Sequence, residues 1–243
     1  MRLLIINPNT SDKVTRAVEA AARRYAHPET QLTIVQASAG PETIRCRYEE
    51  LLSVPANLSL LAEHSAHHDG VLFACYGDHP ILYAARELIS KPVVGIAEAS
   101  MHMACFLGHR FSIITTNAAW IPLLSDAAQR YGLAGRCASI RALGLSGGEI
   151  LQLSQSEIQE QIAQQAEQAL QQDGAEVICL GGAALTGFDQ ALSERLQVPV
   201  LDGVVCGLKV LEGLVGYGLS TSKWRAYGSL NKSLAGGPAH SLG

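Results

Sequence analysis

The sequence predicts an α/β protein with two lobes, each built around a parallel β-sheet. Short apolar runs alternate along the 243 residues with longer segments of helical periodicity, which is typical of parallel strands joined by crossover helices. The alternation starts again near Glu98, so the chain divides into two similar halves. Hydrophobic residues make up 48% of the chain, which is enough to supply a core to each half.

The first half, residues 1–97, contains apolar runs that predict four strands. They are residues 2–6, 32–36, 70–74 and 93–96. The segments between these runs carry apolar residues at helical spacing and predict three helices. They are residues 12–25, 54–67 and 80–88. Thr10 or Ser11 can cap the first of these helices, because a hydroxyl accepts a bond from a free backbone N–H.

The second half, residues 98–204, repeats the pattern. Its predicted strands are residues 110–115, 137–142, 176–180 and 198–201, and its predicted helices are residues 98–107, 120–131 and 154–172. A last helix is expected at residues 204–214, and we expect the segment 205–230 to return to the first lobe. Residues 231–243 are rich in Gly, Ser and Pro and are expected to form a flexible tail. The whole pattern favours two flavodoxin-like lobes that face each other.

Composition and charge exclude several classes of function. The formal net charge of −4 and the lack of clustered Lys and Arg argue against nucleic-acid binding. No apolar stretch approaches the roughly 18 residues of a membrane helix, and no signal-peptide pattern is present. Six cysteines without CxxC spacing are typical of free thiols in a reducing compartment. We therefore expect a cytoplasmic protein without membrane contact.

No cofactor or metal is expected either. The pair Gly181-Gly182 lacks the third glycine of a dinucleotide-binding turn, and residues 7–11 lack the GK[ST] of a phosphate loop. His64, His67 and His68 lie close together, but their spacing does not resemble that of a known metal site. The polar surface of a helix end accounts for them better.

Ligands of open α/β sheets bind beyond the carboxyl ends of the strands. The residues that follow the predicted strands are therefore the candidates for substrate binding. They are Asn9, Thr10, Tyr76, Gly77, Asp78, Glu98, Thr115, Thr116, Gly181 and Ala183. Helix N-termini at these turns would offer backbone N–H groups to a carboxylate, an imide or an oxyanion. Because neither Lys nor Arg is among them, a neutral or monoanionic ring is favoured over a dicarboxylate.

Cys75 is the candidate for chemistry, because it ends a predicted strand and enters a helix. That position can lower the pKa of a thiol and make it reactive. A buried structural cysteine is the alternative, and it is a common fate. Cys179 lies inside an apolar strand and is expected to be packed. His79, which follows Asp78, could line the same pocket or simply be exposed.

Six segments in order resemble hydantoin and allantoin racemases of the aspartate/glutamate/hydantoin racemase superfamily. They are IINPNTS at 5–11, ACYGD at 74–78, VGIAEA at 94–99, FSIITT at 111–116, EVICLG at 176–181 and PVLDGV at 199–204. The resemblance implies two flavodoxin-like lobes with the active site between them, no cofactor, and assembly into homo-oligomers. It also implies two cysteines on opposite faces of the substrate carbon: one removes a proton as thiolate and the other returns a proton as thiol.

Cys75 matches the first of these cysteines, whereas the position of the second is occupied by Gly182. Cys179 is a poor substitute, because an odd offset along a strand points a side chain to the opposite face. His79, Thr186 or a bound water could instead supply the second proton. The expected ligands of the substrate's carbonyl or carboxylate groups are Asn9, Thr116 and the backbone of residues 182–183.

The sequence therefore predicts a cofactor-independent racemase or epimerase-like enzyme that acts through Cys75 on a hydantoin, allantoin or amino-acid-derived substrate. One alternative is a decarboxylase or lyase with a single cysteine. Arylmalonate decarboxylases of the same superfamily work in that way, with their cysteine in the second lobe. The other alternative is a non-catalytic relative that binds a small acid.

Overall fold

A computed structural model describes residues 1–145 and 147–228, so the predicted tail 231–243 lies outside the described residues. The chain forms two four-stranded parallel sheets with helices around them, which confirms the α/β prediction. The strands of the first sheet are β1 (Arg2–Asn7), β2 (Gln31–Gln36), β3 (Gly70–Phe73) and β4 (Val93–Gly95). Those of the second are β5 (Phe111–Thr115), β6 (Cys137–Ala142), β7 (Val177–Gly181) and β8 (Val200–Asp202).

The two sheets have the same topology. The first has the strand order β2-β1-β3-β4 and the second has the order β6-β5-β7-β8. In both sheets the two central strands are almost fully buried, because helices cover both faces of a parallel sheet. This explains why these strands have continuous apolar runs in the sequence. The turns after β1, β3, β5 and β7 consequently lie at the carboxyl edges of the two sheets.

Nine helices are formed by the described residues. They are α1 (Asp12–Tyr25), α2 (Arg47–His64), α3 (Pro80–Leu88), α4 (Ile96–Leu107), α5 (Trp120–Arg130), α6 (Gly147–Gln152), α7 (Gln155–Gln172), α8 (Asp189–Leu196) and α9 (Gly203–Gly216). Short 3-10 turns occur at Ser65–His67, Ala183–Leu185 and Arg225–Tyr227. Within the described ranges, no helix is both long and apolar enough to cross a membrane.

Helices α4 and α9 join the two lobes. They pack against each other, and α9 also contacts α1, β3 and β4 of the first lobe. Helix α4 contacts β7 of the second sheet. The largest hydrophobic cluster therefore includes Leu3 and Leu72 of the first sheet together with Ile113 and Val177 of the second. This shared core fixes the position of one sheet relative to the other.

Two features of the fold differ from the sequence prediction. Helix α2 begins at Arg47 instead of residue 54, so Pro55 lies inside the helix. The acidic residues Glu49 and Glu50 lie in its first turn, where they interact favourably with the helix dipole. Helices α6 and α8 were not predicted, because segments this short give a weak periodic signal.

Candidate active site

A cleft lies between the two sheets, beyond the carboxyl ends of their central strands. From the first lobe it is lined by Asn9, Val14, Thr43, Ile44, Arg45, Ala74, Cys75, Tyr76 and Gly77. From the second lobe it is lined by Thr116, Trp120, Leu124, Ile150, Gly181, Gly182, Ala183 and Ala184. Because parallel strands end at one edge of each sheet, this is where the topology brings distant segments of the chain together.

Cys75 follows β3 and contributes the thiol of the cleft. Its side chain is buried, with 8% of the residue exposed. Burial raises the pKa of the Cys75 thiol to about 12, and the charge of Glu50 acts in the same direction. A hydrogen bond from the Gly77 backbone N–H and the charge of Arg47 only partly oppose these effects. The thiol is therefore protonated at neutral pH, which corrects the expectation that its position lowers the pKa.

Gly182 follows β7 and lines the same cleft from the second lobe. Its backbone is extended, with φ 176° and ψ 140°. A Cβ atom at this position would lie 3.8 Å from Cγ2 of Thr116 and 3.9 Å from Cγ of Leu185, which is ordinary van der Waals contact. Neither space nor backbone conformation therefore requires glycine here.

Gly181 is constrained in a way that Gly182 is not. A Cβ atom at Gly181 would lie 2.5 Å from Cγ2 of Ile113 and 2.9 Å from the carbonyl oxygen of Ile114. The close approach of β5 therefore leaves no room for a side chain. The two adjacent glycines of this turn consequently have different roles, one in packing and one facing the cleft.

Several of the predicted site residues lie around the cleft. They are Asn9, Cys75, Tyr76, Gly77, Thr116, Gly181, Gly182 and Ala183. The Oδ1 atom of Asn9 accepts bonds from Nδ2 of Asn7 and from the backbone N–H of Ser11, both at 2.9 Å. The Tyr76 hydroxyl is 2.8 Å from Oγ of Ser100, and burial raises its pKa well above the usual value. Tyr76 is therefore held as a neutral phenol.

Asp78 is engaged elsewhere. Its carboxylate accepts hydrogen bonds from the hydroxyls of Tyr83, at 2.7 Å, and Tyr131, at 2.8 Å. It also forms an ion pair with Arg130 of α5. These contacts connect α3 and α5 across the lobes. The structure thus gives Asp78 a buried structural environment outside the cleft, in place of the predicted contact with substrate.

Three other predicted ligands also lie outside the cleft. Glu98 pairs with Arg86 at 2.5 Å. The hydroxyl of Thr115 donates to the carbonyl oxygen of Gly181 at 3.0 Å and is fully buried between two strands. Thr10 donates its backbone N–H to the loop after β2. Position after a strand did not predict which way these side chains point.

The two side chains suggested as second proton donors are also directed elsewhere. His79 is fully buried, its Nδ1 atom accepts from the Ile81 N–H at 3.2 Å, and its Nε2 atom lies 2.9 Å from Oγ of Ser53. Burial lowers the pKa of His79 to about 4, so its ring is neutral. Thr186 lines a neighbouring groove with Lys13. The structure therefore corrects the expectation for His79, whereas the groove of Thr186 adjoins the cleft and shares Ala184 with it.

The loop between β2 and α2 also contributes to the cleft, which was not predicted. Thr43, Ile44 and Arg45 of this loop line the cleft. Arg45 pairs with Glu49 one helical turn later, and its side chain is half-exposed. No local pattern indicates these residues, because they follow a strand by several positions. A cation is thus present at a cleft that was predicted to lack one.

Comparison with known proteins assigns the chain to a family. The family model described as Asp/Glu/Hydantoin racemase matches residues 3–211. A hydantoin racemase from Pseudomonas sp. is 37% identical over 93% of this chain and 91% of its own length. The chain belongs to the Asp/Glu/hydantoin racemase family.

Solved structures of this racemase family share the fold. The allantoin racemase from Klebsiella pneumoniae superposes with a TM-score of 0.92 and 36% identity, covering 98% of this chain and 97% of that one. The allantoin racemase from Pseudomonas fluorescens gives a TM-score of 0.91 and 37% identity, covering 98% and 100%. These matches confirm the predicted fold of two parallel-sheet lobes and the predicted resemblance.

The remaining buried thiols of this family member are packed into its core. Cys179 and Cys206 are both buried, and Cys179 donates a bond to the carbonyl oxygen of Ser100 at 3.8 Å. The prediction that Cys179 is a packed residue is confirmed. Among the residues that the structure describes, no group of three or more His, Cys, Asp or Glu side chains could hold a metal ion.

Proposed function

We propose that this protein is a cofactor-independent enzyme of the isomerase type that moves a proton at an acidic carbon of a hydantoin, allantoin or amino-acid-derived substrate. The observation that carries the proposal is the Cys75 thiol in the cleft between the lobes. The names of the relatives, hydantoin racemase and allantoin racemase, support the class of substrate.

The chemistry requires a group that exchanges a proton with carbon and donors that stabilise the resulting enolate. In the isomerase, the thiolate fraction of Cys75 accepts the proton of the acidic C–H bond, and the electrons of that bond pass to the enolate. The resulting thiol exchanges its proton with water and donates one back to carbon; the S–H bond breaks as the C–H bond forms, and the thiolate is regenerated. Backbone N–H groups near Gly182 and Ala183, at the start of a 3-10 turn, are the proposed donors to the enolate oxygen. In the decarboxylase alternative the enolate forms as carbon dioxide leaves, the Cys75 thiol donates its proton to carbon, and water returns a proton to the sulfur.

Chemistry on one face is favoured by the composition of the other wall. The described cleft residues of the second lobe have apolar, hydroxyl or glycine side chains, and Gly182 stands where the resemblance implies a second cysteine. None of these side chains titrates near neutral pH. A proton on that face would have to come from water. A decarboxylase or lyase, which forms its enolate by breaking another bond, needs only one such thiol and is the second candidate.

Isotope exchange tests the proposal and separates its alternatives. Enantiopure hydantoins, allantoin and amino acids are incubated with the enzyme in D2O, and deuterium at the acidic carbon and optical rotation are followed together. Exchange with retention indicates one-faced chemistry, exchange with inversion indicates racemisation, and carbon dioxide release from the corresponding malonate-type acids indicates a decarboxylase. No reaction with any of them contradicts the proposed function and leaves the binding protein.

The role of Cys75 is tested by Cys75→Ser. Loss of general acid–base catalysis should lower the exchange rate by about 10²- to 10⁴-fold. Cys105→Ser is the matched control, because the Cys105 thiol is half-buried and bonds to the Met101 carbonyl outside the cleft. A Cys75→Ser enzyme with full activity would exclude the mechanism.

A further inference from the structure

Glu50 is a buried carboxylate beside the catalytic turn, and the proposed reaction does not use it. Its side chain, in the first turn of α2, has 0% exposure. Oε2 of Glu50 accepts a bond from Arg47 at 2.6 Å. Oε1 is buried and has no hydrogen-bond partner among the described residues. Such an atom is uncommon in a folded protein, because leaving a buried charged oxygen unpaired is costly.

The unpaired oxygen points at the turn that carries Cys75. A Cβ atom on Gly77 would lie 2.2 Å from Oε1 of Glu50, so the carboxylate lies directly against the backbone of this turn. Arg47 holds it there, and Nη1 of Arg47 is also 3.5 Å from the carbonyl oxygen of Asp78. Glycine at position 77 therefore allows the carboxylate to lie against the turn that carries Cys75.

Two charged side chains of α2 act on the Cys75 thiol. The Glu50 carboxylate disfavours a thiolate, whereas the Arg47 guanidinium favours one. Arg47 is shared with Glu50, so its charge is largely compensated by that partner. His79 packs against the same turn but is neutral, and its ring bonds to Ser53 of α2. The ion pair as a whole is neutral, but at Cys75 the effect of the Glu50 carboxylate exceeds that of the Arg47 guanidinium.

We propose that Glu50, held against the backbone of Gly77, is a positioning residue that adds to the effect of burial in disfavouring the Cys75 thiolate and so favours the thiol as a proton donor. This inference rests on the proposed function, in which Cys75 donates a proton to carbon. Once the proton has moved from sulfur to the carbanion, the new thiolate lies near a second negative charge. In the decarboxylase alternative, water then reprotonates the sulfur and the hydroxide that is formed leaves to solvent. Glu50 is not among the described residues that line the cleft.

The experiment measures the thiolate of Cys75 directly and needs no substrate. The protein is treated with iodoacetamide at pH 8, and alkylation of the peptide that contains Cys75 is followed by mass spectrometry. Glu50→Gln should accelerate this alkylation about tenfold, which corresponds to a fall of about one unit in the pKa. Glu63→Gln is the matched control, because it removes a carboxylate from the same helix at a side chain that is 71% exposed; it should alkylate at the wild-type rate.

Three results would overturn the inference. The first is a folded Glu50→Gln protein that alkylates no faster than wild type. The second is an equal acceleration by Glu63→Gln. The third applies even if Glu50→Gln does not fold: the alkylation rate of wild-type Cys75 should rise up to pH 10, and a plateau near pH 8.5 would overturn the inference, because the thiol would then have its ordinary pKa. A negative result in the isotope-exchange assay would not change these alkylation rates, so the proposed function and the role of Glu50 are tested separately.

Discussion

Introducing a thiol at position 182 should convert one-faced proton exchange into racemisation. Gly182 lines the cleft that also contains Cys75, and the two residues come from different sheets. If Cys75 serves one face of the substrate, Gly182→Cys supplies an acid or base at the wall of the second lobe. Inversion requires a group on each face, because a single base returns its proton to the side from which it came.

The structure predicts that Gly182→Cys is tolerated, and general acid–base catalysis sets the expected increase in the rate of inversion. The backbone at Gly182 is extended, and the nearest heavy atoms lie 3.8 and 3.9 Å from the position of a Cβ atom. The free energy of unfolding should therefore change by less than about 1 kcal/mol. A correctly placed acid or base contributes about 10²- to 10⁴-fold. A gain of about 10²-fold in inversion corresponds to about 2.7 kcal/mol in the barrier.

The assay records deuterium uptake and loss of optical rotation in the same sample, with an enzyme-free blank for spontaneous racemisation. The ratio of inversion to exchange should be low for wild type, in which the proton on the second face comes from water, and should rise strongly in Gly182→Cys. Gly182→Ser is the matched control, because a hydroxyl of similar size does not ionise near neutral pH. Gly181→Cys should destabilise the protein instead, because its Cβ atom would meet Ile113 at 2.5 Å.

A folded Gly182→Cys enzyme whose ratio of inversion to exchange equals that of wild type would show that position 182 does not face the second side of the substrate. The prediction is also refuted by a wild-type enzyme that already inverts its substrate at every exchange. The double variant with Cys75→Ser should lose the gained inversion. If it does not, the new thiol works without Cys75 and the two-sided arrangement is wrong.

Two further predictions concern pH and stability. Because the pKa of Cys75 is raised to about 12, its thiolate fraction increases about tenfold per pH unit below that value. The rate of deuterium exchange, if the thiolate initiates it, should therefore rise between pH 7 and 10. A plateau of this rate near pH 8.5 would contradict the prediction. Asp202 caps α9, with Oδ1 accepting from the N–H groups of Val204 and Val205 and Oδ2 from that of Gly187. Asp202→Ala should lower the free energy of unfolding by about 1 to 2 kcal/mol, measured by urea denaturation; an unchanged midpoint would show that the cap is not needed.

Most of the fold could be predicted from the sequence because its signals are local. The buried central strands β1 and β7 require continuous apolar runs, and α7 carries a capping box formed by Ser154 and Glu157. These patterns are visible in any short window of the chain. The start of α2 was harder to predict, because Pro55 resembles the first turn of a helix, whereas tertiary contacts extend this helix back to Arg47.

The candidate site was predicted only in part, for a physical reason. Position after a strand correctly placed Cys75, Thr116 and Gly182 at the cleft, because strand ends converge in this fold. It also selected Asp78 and Glu98, whose carboxylates are taken by tyrosine hydroxyls and arginines. The partners of a polar side chain come from distant segments, and no local pattern specifies them.

The sequence alone specifies two parallel-sheet lobes, a thiol at the end of β3 and a glycine at the corresponding turn of the second lobe. The protonation of that thiol depends on the tertiary structure. Burial is the largest cause of its raised pKa, and Glu50 and Arg47 on α2, which precede Cys75 by more than twenty positions, act on it in opposite directions. A pKa depends on burial and on charges in space, and both arise only when the helix packs against the sheet.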